Sequence, residues 1–367
     1  MLLFKGPRDQ LLAPLQSVCG IVEKRHTLPI LSNVLMEKNG EQLTLLATDI
    51  EIQITTAAPT TGSDKAAMTV GARKLQDILR SLPESAEVSL SLEDRRLQLK
   101  AGKSRFNLQT LPAEDFPRMA AGDGQQTRLT LTQKQMKRML GLVQYAMAQQ
   151  DIRYYLNGLL LVAKGSDLIV VATDGHRLAY ARETLGGELA PIDVILPRKT
   201  VLELSRQLAD NDEPLEITLT PTQARFNFGR IELVSKLIDG KFPDYERVIP
   251  QHHGKIIRMG RDQLLHSLQR AAILTNEKFR GVRLVLGGGS LKIISSNAEQ
   301  EEAQEEIEVS YDGETLDIGF NVTYLVDVLT NVSTENIEVC LADANSSALF
   351  HIPDNERFKY VVMPMRI

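Results

Sequence analysis

Residues 170–180 read VVATDGHRLAY, which sets Thr173, Asp174, His176 and Arg177 side by side. A proton-transfer dyad needs an Asp that orients a neighbouring His, and a turn at Gly175 could bring the two together. Hydrolysis by such a pair also needs a partnered nucleophile. No GxSxG, HExxH, Walker or CxxC pattern supplies one. The two cysteines, Cys19 and Cys340, lie far apart and without Cys/His ligand spacing, so neither a disulfide framework nor a zinc site is indicated. What the TDGHR residues do depends on the elements that position them.

The chain has 367 residues, 43% of them hydrophobic, enough to bury large cores and, by length, to hold two or three domains. Its 42 Lys and Arg stand against 47 Asp and Glu, a net charge of −5, so binding to nucleic acid would need a local basic surface. The opening MLLFKGPRDQ is too short an apolar run for a signal peptide, and no segment approaches the roughly 18 uninterrupted apolar residues of a membrane span. The expectation is a soluble protein of a reducing cytoplasm with no membrane partner.

The ATD motif is written more than once. LTLLATDIEI at 43–52 resembles DLIVVATDGHRL at 167–178, and LKIISSNAEQ at 291–300 holds the same place in a third copy. Asp174 follows Asp49 by 125 residues, and Asn297 follows Asp174 by 123. The first copy has Ala47, Thr48 and Asp49 with no His or Arg beside them, so the shared Asp is most simply a turn or strand-bulge residue. Upstream, RDQLL at 8–12 recurs unchanged at 261–265, with TQKQMKRML at 132–140 as the middle version, and all three read as helices.

A second helix follows in each copy: ARKLQDILRSL at 72–82, PRKTVLELSRQL at 197–208 and NVTYLVDVLTNV at 321–332. Leu75, Ile78, Leu79 and Leu82 share one helical face. Val201, Leu204 and Leu208 repeat it, as do Leu325, Val328, Leu329 and Val332. Runs such as EVSLSL, LQLKAG, RFNLQTL, LEITLT and IELVSKL, bounded by Gly, Asn and Asp turns, read as strands. Each copy therefore holds two helices and about eight short strands, an α+β fold with helices packed on antiparallel sheets. MAAGDGQQT at 119–127 and PQHHGK at 250–255 read as linkers, which places domains at 1–124, 127–252 and 254–367. A repeat this long is no solenoid unit, so the three are whole domains of one fold.

Several segments, in order along the whole length, resemble the beta subunit of bacterial DNA polymerase III, the sliding-clamp family. They are RHTLPILSNVL at 25–35, SRFNLQTLPAEDFP at 104–117, DIRYYLNGLLL at 151–161, ATDGHRLA at 172–179, SKLIDGKFPDYERVIP at 235–250, NEKFRGVRL at 276–284 and YVVMPMRI at 360–367. The resemblance implies three repeats of the DNA clamp fold in a head-to-tail homodimer that closes into a ring, helices lining the hole and sheets forming the outer wall. It implies no catalysis, no cofactor and no metal. Members of the family encircle duplex DNA and keep a polymerase on it. The partners implied are the clamp loader, the replicative polymerase catalytic subunit, bypass polymerases and mismatch-repair proteins, which bind through short linear segments.

Helix 133–147 carries Lys134, Lys137 and Arg138 and no acidic residue. The second helices of the first two copies carry Arg73, Lys74 and Arg80, then Arg198, Lys199 and Arg206, against Asp77 and Glu203. A charged run also describes a solvated helix face, but its recurrence in two copies points to phosphate contacts, which are sequence-independent and weaken with salt. The resemblance adds Arg25, Gln150, Tyr154 and Tyr155 on or near loops that touch DNA. There the tyrosines would stack against exposed sugars or bases; a half-buried pair at a strand start is the second reading.

The stretch 297–308 is acidic, with Glu299, Glu301, Glu302 and Glu305 among its six glutamates. The first domain offers an opposite edge in Lys74, Arg96, Lys103 and Arg105. Two such heterologous contacts close a ring, with Phe106 and Leu108 facing Ile273 and Leu274 as the apolar centre. Exposed ion pairs of this kind add about 0 to 1 kcal/mol each, so they set register and polarity more than strength.

In the family, Gly175, His176, Arg177 and Leu178 line a peptide-binding pocket that the chain's last residues complete. Here these are Val361, Val362, Met363, Pro364, Met365 and Arg366, ahead of Ile367. Methionines flanking a proline make an adaptable apolar surface. The family motif carries over to Leu156, Thr173, Pro243, Arg247, Val248 and Ser347 as further walls. Asn345 stands where the family often has an aliphatic residue, and Ile367 where it often has Leu. Two other readings stay open from the residues alone. A sequence-specific DNA-binding regulator would hold one short linear site, and a hydrolase using Asp174 and His176 would lose turnover in His176→Ala.

Overall fold

Apolar stripes at helical spacing become six α-helices among the described residues, which are 1–23, 28–251 and 254–367 of a computed structural model. They are α1 (Arg8–Cys19), α2 (Ala72–Ser81), α3 (Gln133–Val143), α4 (Arg198–Gln207), α5 (Arg261–Ala271) and α6 (Val322–Asn331). α2 buries Leu75 and Leu79, α4 Val201 and Leu204, and α6 Leu325, Val328 and Leu329, the faces the 3.6-residue period calls for. Asn321 starts α6 by accepting from the Thr323 amide at 2.9 Å. α3 stops short of the expected 147. Val143 leaves helical geometry at φ −128° and residues 144–146 tighten into a 3₁₀ turn, whose Tyr145 carbonyl accepts from Arg177 Nη2 at 2.7 Å. No helix among the described residues is long and apolar enough to cross a membrane.

Among the described residues the strands make antiparallel sheets of twelve, six and four members. The twelve-stranded sheet joins the first copy to four strands of the middle copy through Ile231–Lys236, which pairs with Ile52–Pro59. The middle copy's other strands, Gly158–Thr173 and Arg177–Pro197, belong to the third copy's sheet, with Arg177 opposite Val362 and Ala181 opposite Phe358. The four-stranded sheet ends on Glu302–Glu308. The chain thus divides into two compact units, residues 1–136 with 202–237 and residues 137–201 with 238–367.

Among the described residues, the first and third copies contain eight strands each and the middle copy six. The difference is one of continuity. Gly158–Thr173 spans what the first copy splits into Asn33–Asn39 and Gln42–Thr48, and its register shifts around Gly165. Pairing with the opposite strand carries through that irregularity, and Arg177–Pro197 likewise spans what the first copy splits into Ile52–Pro59 and Lys65–Gly71, so four expected strands are two.

Candidate functional site

The TDGHR segment is a turn. The Thr173 hydroxyl donates to the Arg177 carbonyl at 2.6 Å and accepts from the Gly175 amide at 3.0 Å. Asp174 Oδ1 accepts from the His176 and Arg177 amides at 2.9 and 3.1 Å. The first copy repeats each bond: Thr48 donates to Ile52 O at 2.9 Å, and Asp49 Oδ1 accepts from the Glu51 and Ile52 amides at 3.0 and 2.8 Å. In the third copy Asn297 Oδ1 accepts from the Glu299 and Glu301 amides, both at 3.0 Å. An Asx turn of this kind satisfies local backbone donors and sets the chain reversal. The Asp174 carboxylate is spent on that task and on Arg177 Nε, 3.1 Å from Oδ2, so the geometry builds a turn where a proton relay was one reading.

Arg177 ties the turn to its surroundings. Its side chain is 9% exposed and its Nη1 meets Asp327 of α6 at 2.5 Å. Nη2 donates to the Tyr145 carbonyl, and the guanidinium lies 4.5 Å from the Tyr324 ring centroid and 5.7 Å from that of Tyr145. A planar fork can meet two carboxylates, a carbonyl and aromatic faces at once, which an ammonium cannot. Burial pushes the Tyr145 and Tyr360 phenols up from their ordinary range. The Tyr360 hydroxyl, kept protonated, donates to the Tyr324 carbonyl at 2.9 Å.

Above this turn opens a mostly apolar cavity of about 220 Å³. Leu156, Leu178 and Val361 form its floor and belong to a buried cluster with Leu160, Ile169, Val171, Phe242 and Ile249. Pro243, Val248, Thr173 and Met363 form the sides. Arg153 crosses the rim, held by Asp151 through Nε at 3.0 Å and Nη2 at 2.8 Å, and donates to the Asp174 carbonyl at 3.1 Å. The bonds from Arg153 hold the Asp151 carboxyl down to about 2. The rim needs a glycine at 175. Its φ is +89°, and a Cβ there would stand 2.7 Å from Arg153 Nη1. The chain's tail is pinned at two points, Met363 N to His176 O at 2.9 Å and Met365 N to Gly319 O at 2.8 Å.

Of the pocket residues expected from the sequence, Leu156, Thr173, Gly175, His176, Arg177, Leu178, Pro243, Val248, Val361 and Met363 converge on the cavity. Others lie apart from its lining. Arg247 is 86% exposed and paired with Asp244 at 2.9 Å. Val362 is buried opposite Arg177 and Ala348. Asn345 sits in a turn where its amide donates to Asp343 at 2.8 Å, and Ser347, Pro364, Met365 and Arg366 are likewise outside the lining. Arg153 went unread in the sequence, and Tyr155, expected near DNA, lines the cavity as well. The available signal for Arg153 was the Asp151-x-Arg153 spacing, which permits the local ion pair.

The other candidates are dispersed. On α2, Arg73 is half-buried and donates to Val22 O at 2.5 Å, while Lys74 and Arg80 are exposed. Arg198 opens α4 with Nη1 3.3 Å from Met147 O. Gln150 is exposed at φ +55°, and Tyr154 is exposed and edge-on to Tyr155. Arg25 lies outside the described residues. Strand Ser104–Leu111 pairs along one side with Arg96–Ala101 but along the other only at Thr110 and Leu111, so Arg105, Phe106 and Leu108 lie on an open edge. Arg96, Lys103 and Arg105 are exposed there, and Phe106 and Leu108 half-buried. Ile273 is 76% exposed and Leu274 partly so. On the outer Glu302–Glu308 strand, Glu305 is held by Arg270 of its own chain at 2.9 and 2.5 Å, and those bonds lower its pKa. Glu299 and Glu301 belong to the Asn297 turn, and Glu302 is exposed.

Three copies of two helices on antiparallel sheets define a DNA clamp fold. Residues 2–120, 130–244 and 246–366 match the N-terminal, central and C-terminal domains of the DNA polymerase III beta subunit. The beta sliding clamp of Pseudomonas aeruginosa is 48% identical over 99% of this chain and all of its own, and that of Escherichia coli K12 is 45% identical. The crystal structure of the P. aeruginosa subunit superposes over the whole of both chains with a TM-score of 0.95 at 47% identity. A P. aeruginosa clamp bound to griselimycin gives 0.96, also at 47% identity. The chain belongs to the DNA polymerase III beta subunit family, the beta sliding clamps.

Proposed function

We propose that two copies of this chain close head to tail around duplex DNA and tether polymerases to it, without catalysing a step. The three domains would run 1–124, 127–252 and 254–367. The open edge at Arg105–Leu108 of one chain would meet Ile273, Leu274 and the acidic strand of the other. Arg73, Arg80 and Arg198, with Gln150, Tyr154 and Tyr155, would contact the DNA without reading its sequence. Such a ring would work in the cytoplasm, beside the DNA. The partners would be the clamp loader, the replicative polymerase catalytic subunit, bypass polymerases and mismatch-repair proteins.

The observation that carries the tethering is the cavity over Leu178, apolar at its floor and fixed at its rim by the Asp174 turn and Arg153. It suits one or two apolar side chains of a linear segment. Burying roughly 200 to 300 Å² at about 25 cal/mol per Å² yields about 5 to 8 kcal/mol gross, and ordering a flexible peptide takes much of that back. An isolated peptide should therefore bind in the micromolar range, which permits exchange, while a partner that also holds DNA gains by avidity. Calorimetry with a short peptide bearing Leu and Phe anchors tests this. Binding that survives Leu178→Arg would remove the cavity from the account.

A further inference from the structure

A second cavity lies at the far end of the strand pairing that builds the first. Arg177 opposes Val362 beside the Leu178 cavity, and four residues on Ala181 opposes Phe358. There a cavity of about 650 Å³ opens between α3, the end of α6 and the turn at Asp354. Three guanidiniums face it, from Arg138, Arg182 and Arg357. The nearby carboxylates are the exposed Asp354, Asp167 beside Arg182, and Glu183.

Glu183 is 8% exposed, and its two oxygens brace two of the arginines, Arg138 Nη2 at 2.5 Å and Arg357 Nη1 at 3.5 Å. A buried carboxylate used in this way fixes the forks and leaves their other N–H groups free to turn outward. Arg182 is less satisfied. Its nearest carboxylate, Asp167, stands 3.7 Å away, beyond hydrogen-bond range, and its buried Nε has no partner among the described residues. That Nε is sealed from the cavity, so it is the outer Nη groups of Arg182, which lines the space, that would meet a ligand oxygen. Thr330, Asn331, Ser333 and Asn355 add short polar side chains around the same space. On α3, Arg138 shares a face with Gly141 and Leu142, three and four residues on, and the helix carries no acidic residue. The cavity thus continues a basic helix face.

We propose that this cavity takes a backbone phosphate of the encircled duplex, with Arg182 and Arg357 as its ligands and Arg138 shared between it and Glu183. A phosphodiester presents oxygens in several directions, as forks arriving from three elements require, and carries no base information. The proposal rests on the reading of the chain as a clamp on DNA.

The test is duplex binding of the full-length protein by fluorescence anisotropy across a salt series. Arg182→Ala with Arg357→Ala leaves Arg138 to partner Glu183, and Arg182→Lys with Arg357→Lys preserves the charge. Each phosphate contact contributes about 0.9 to the slope of log K against log salt. The double alanine variant is expected to lose about 0.9 from that slope, the share of the one phosphate, and the double lysine variant to keep most of it. A wild-type slope in the alanine variant overturns the proposal, as does a loss confined to single-stranded oligothymidylate. Loss of binding to a polyglutamate peptide with duplex binding intact also overturns it, and makes the cavity a protein-docking site. Retention of the wild type on nicked circular DNA separates the two levels. If the wild type is retained and the alanine variant keeps its slope, only this inference fails; if the wild type is not retained, the clamp reading fails first.

Discussion

Replacing Arg177 by alanine should cost more than any other single change near the Leu178 cavity. The side chain leaves behind two carboxylates, Asp174 and Asp327, and the Tyr145 carbonyl, all of which it now partners. Breaking a fully buried ion pair costs about 3 to 5 kcal/mol. Asp327 is 31% exposed, so water recovers part of that, and about 2 kcal/mol is a fair share. The lost bond to the Tyr145 carbonyl adds about 1 kcal/mol, and the stack on Tyr324 about 0.5 to 1. The sum is about 3 to 4 kcal/mol, read as a shift of the urea transition followed by near-ultraviolet circular dichroism of the tyrosines. Because the Asp174 turn would lose its side-chain tie to Asp327 of α6 and to the Tyr145 carbonyl, peptide affinity should fall about tenfold or more in the same variant. Asp327→Ala should cost less, and combining the two should cost little beyond Arg177→Ala alone, since they share one interaction. A loss under 1 kcal/mol, or losses that simply add, would show that Arg177 does not organise the site.

Gly175→Ala should lose about 1 to 2 kcal/mol from the left-handed backbone alone and displace Arg153 from the rim; a thermal midpoint equal to the parent's would contradict the geometry at φ +89°. Deleting Met363–Ile367 should abolish peptide binding in calorimetry and leave the dimer intact, because the tail's backbone bonds run to His176 and Gly319 within its own unit; a truncated protein that sediments as monomer would assign the tail to assembly instead. Phe106→Ala combined with Leu274→Ala should give folded monomers by light scattering, and a dimer persisting at low micromolar concentration would move the interface elsewhere.

The turn at 173–177 was legible because the sequence holds its own control: Thr48 and Asp49 lack the neighbouring His and Arg, and the same bonds form without them. The helix faces were legible for a similar reason, since Leu75, Leu79, Leu325 and Leu329 follow one period and are buried alike. Alternation along a strand says which side is buried but not which strand lies alongside. That is why the division of the middle copy between two sheets could not be read from its residues. The end of α3 escaped for a tertiary reason, a 3₁₀ turn whose Tyr145 carbonyl accepts from Arg177. Arg153 escaped because its place depends on the empty side of Gly175, twenty-two residues away in sequence. Arg247, carried over by likeness, stands in solvent outside the cavity lining.

Retention on DNA of defined topology tests the central claim most directly. Clamps loaded on nicked circular DNA and passed through a sizing column in moderate salt should elute with the circle as a dimer, twice 40.8 kDa. Cutting the circle once before the column should release them, because a ring without sequence preference slides off a free end. Equal retention on circular and linear DNA, or release from both, would contradict the ring.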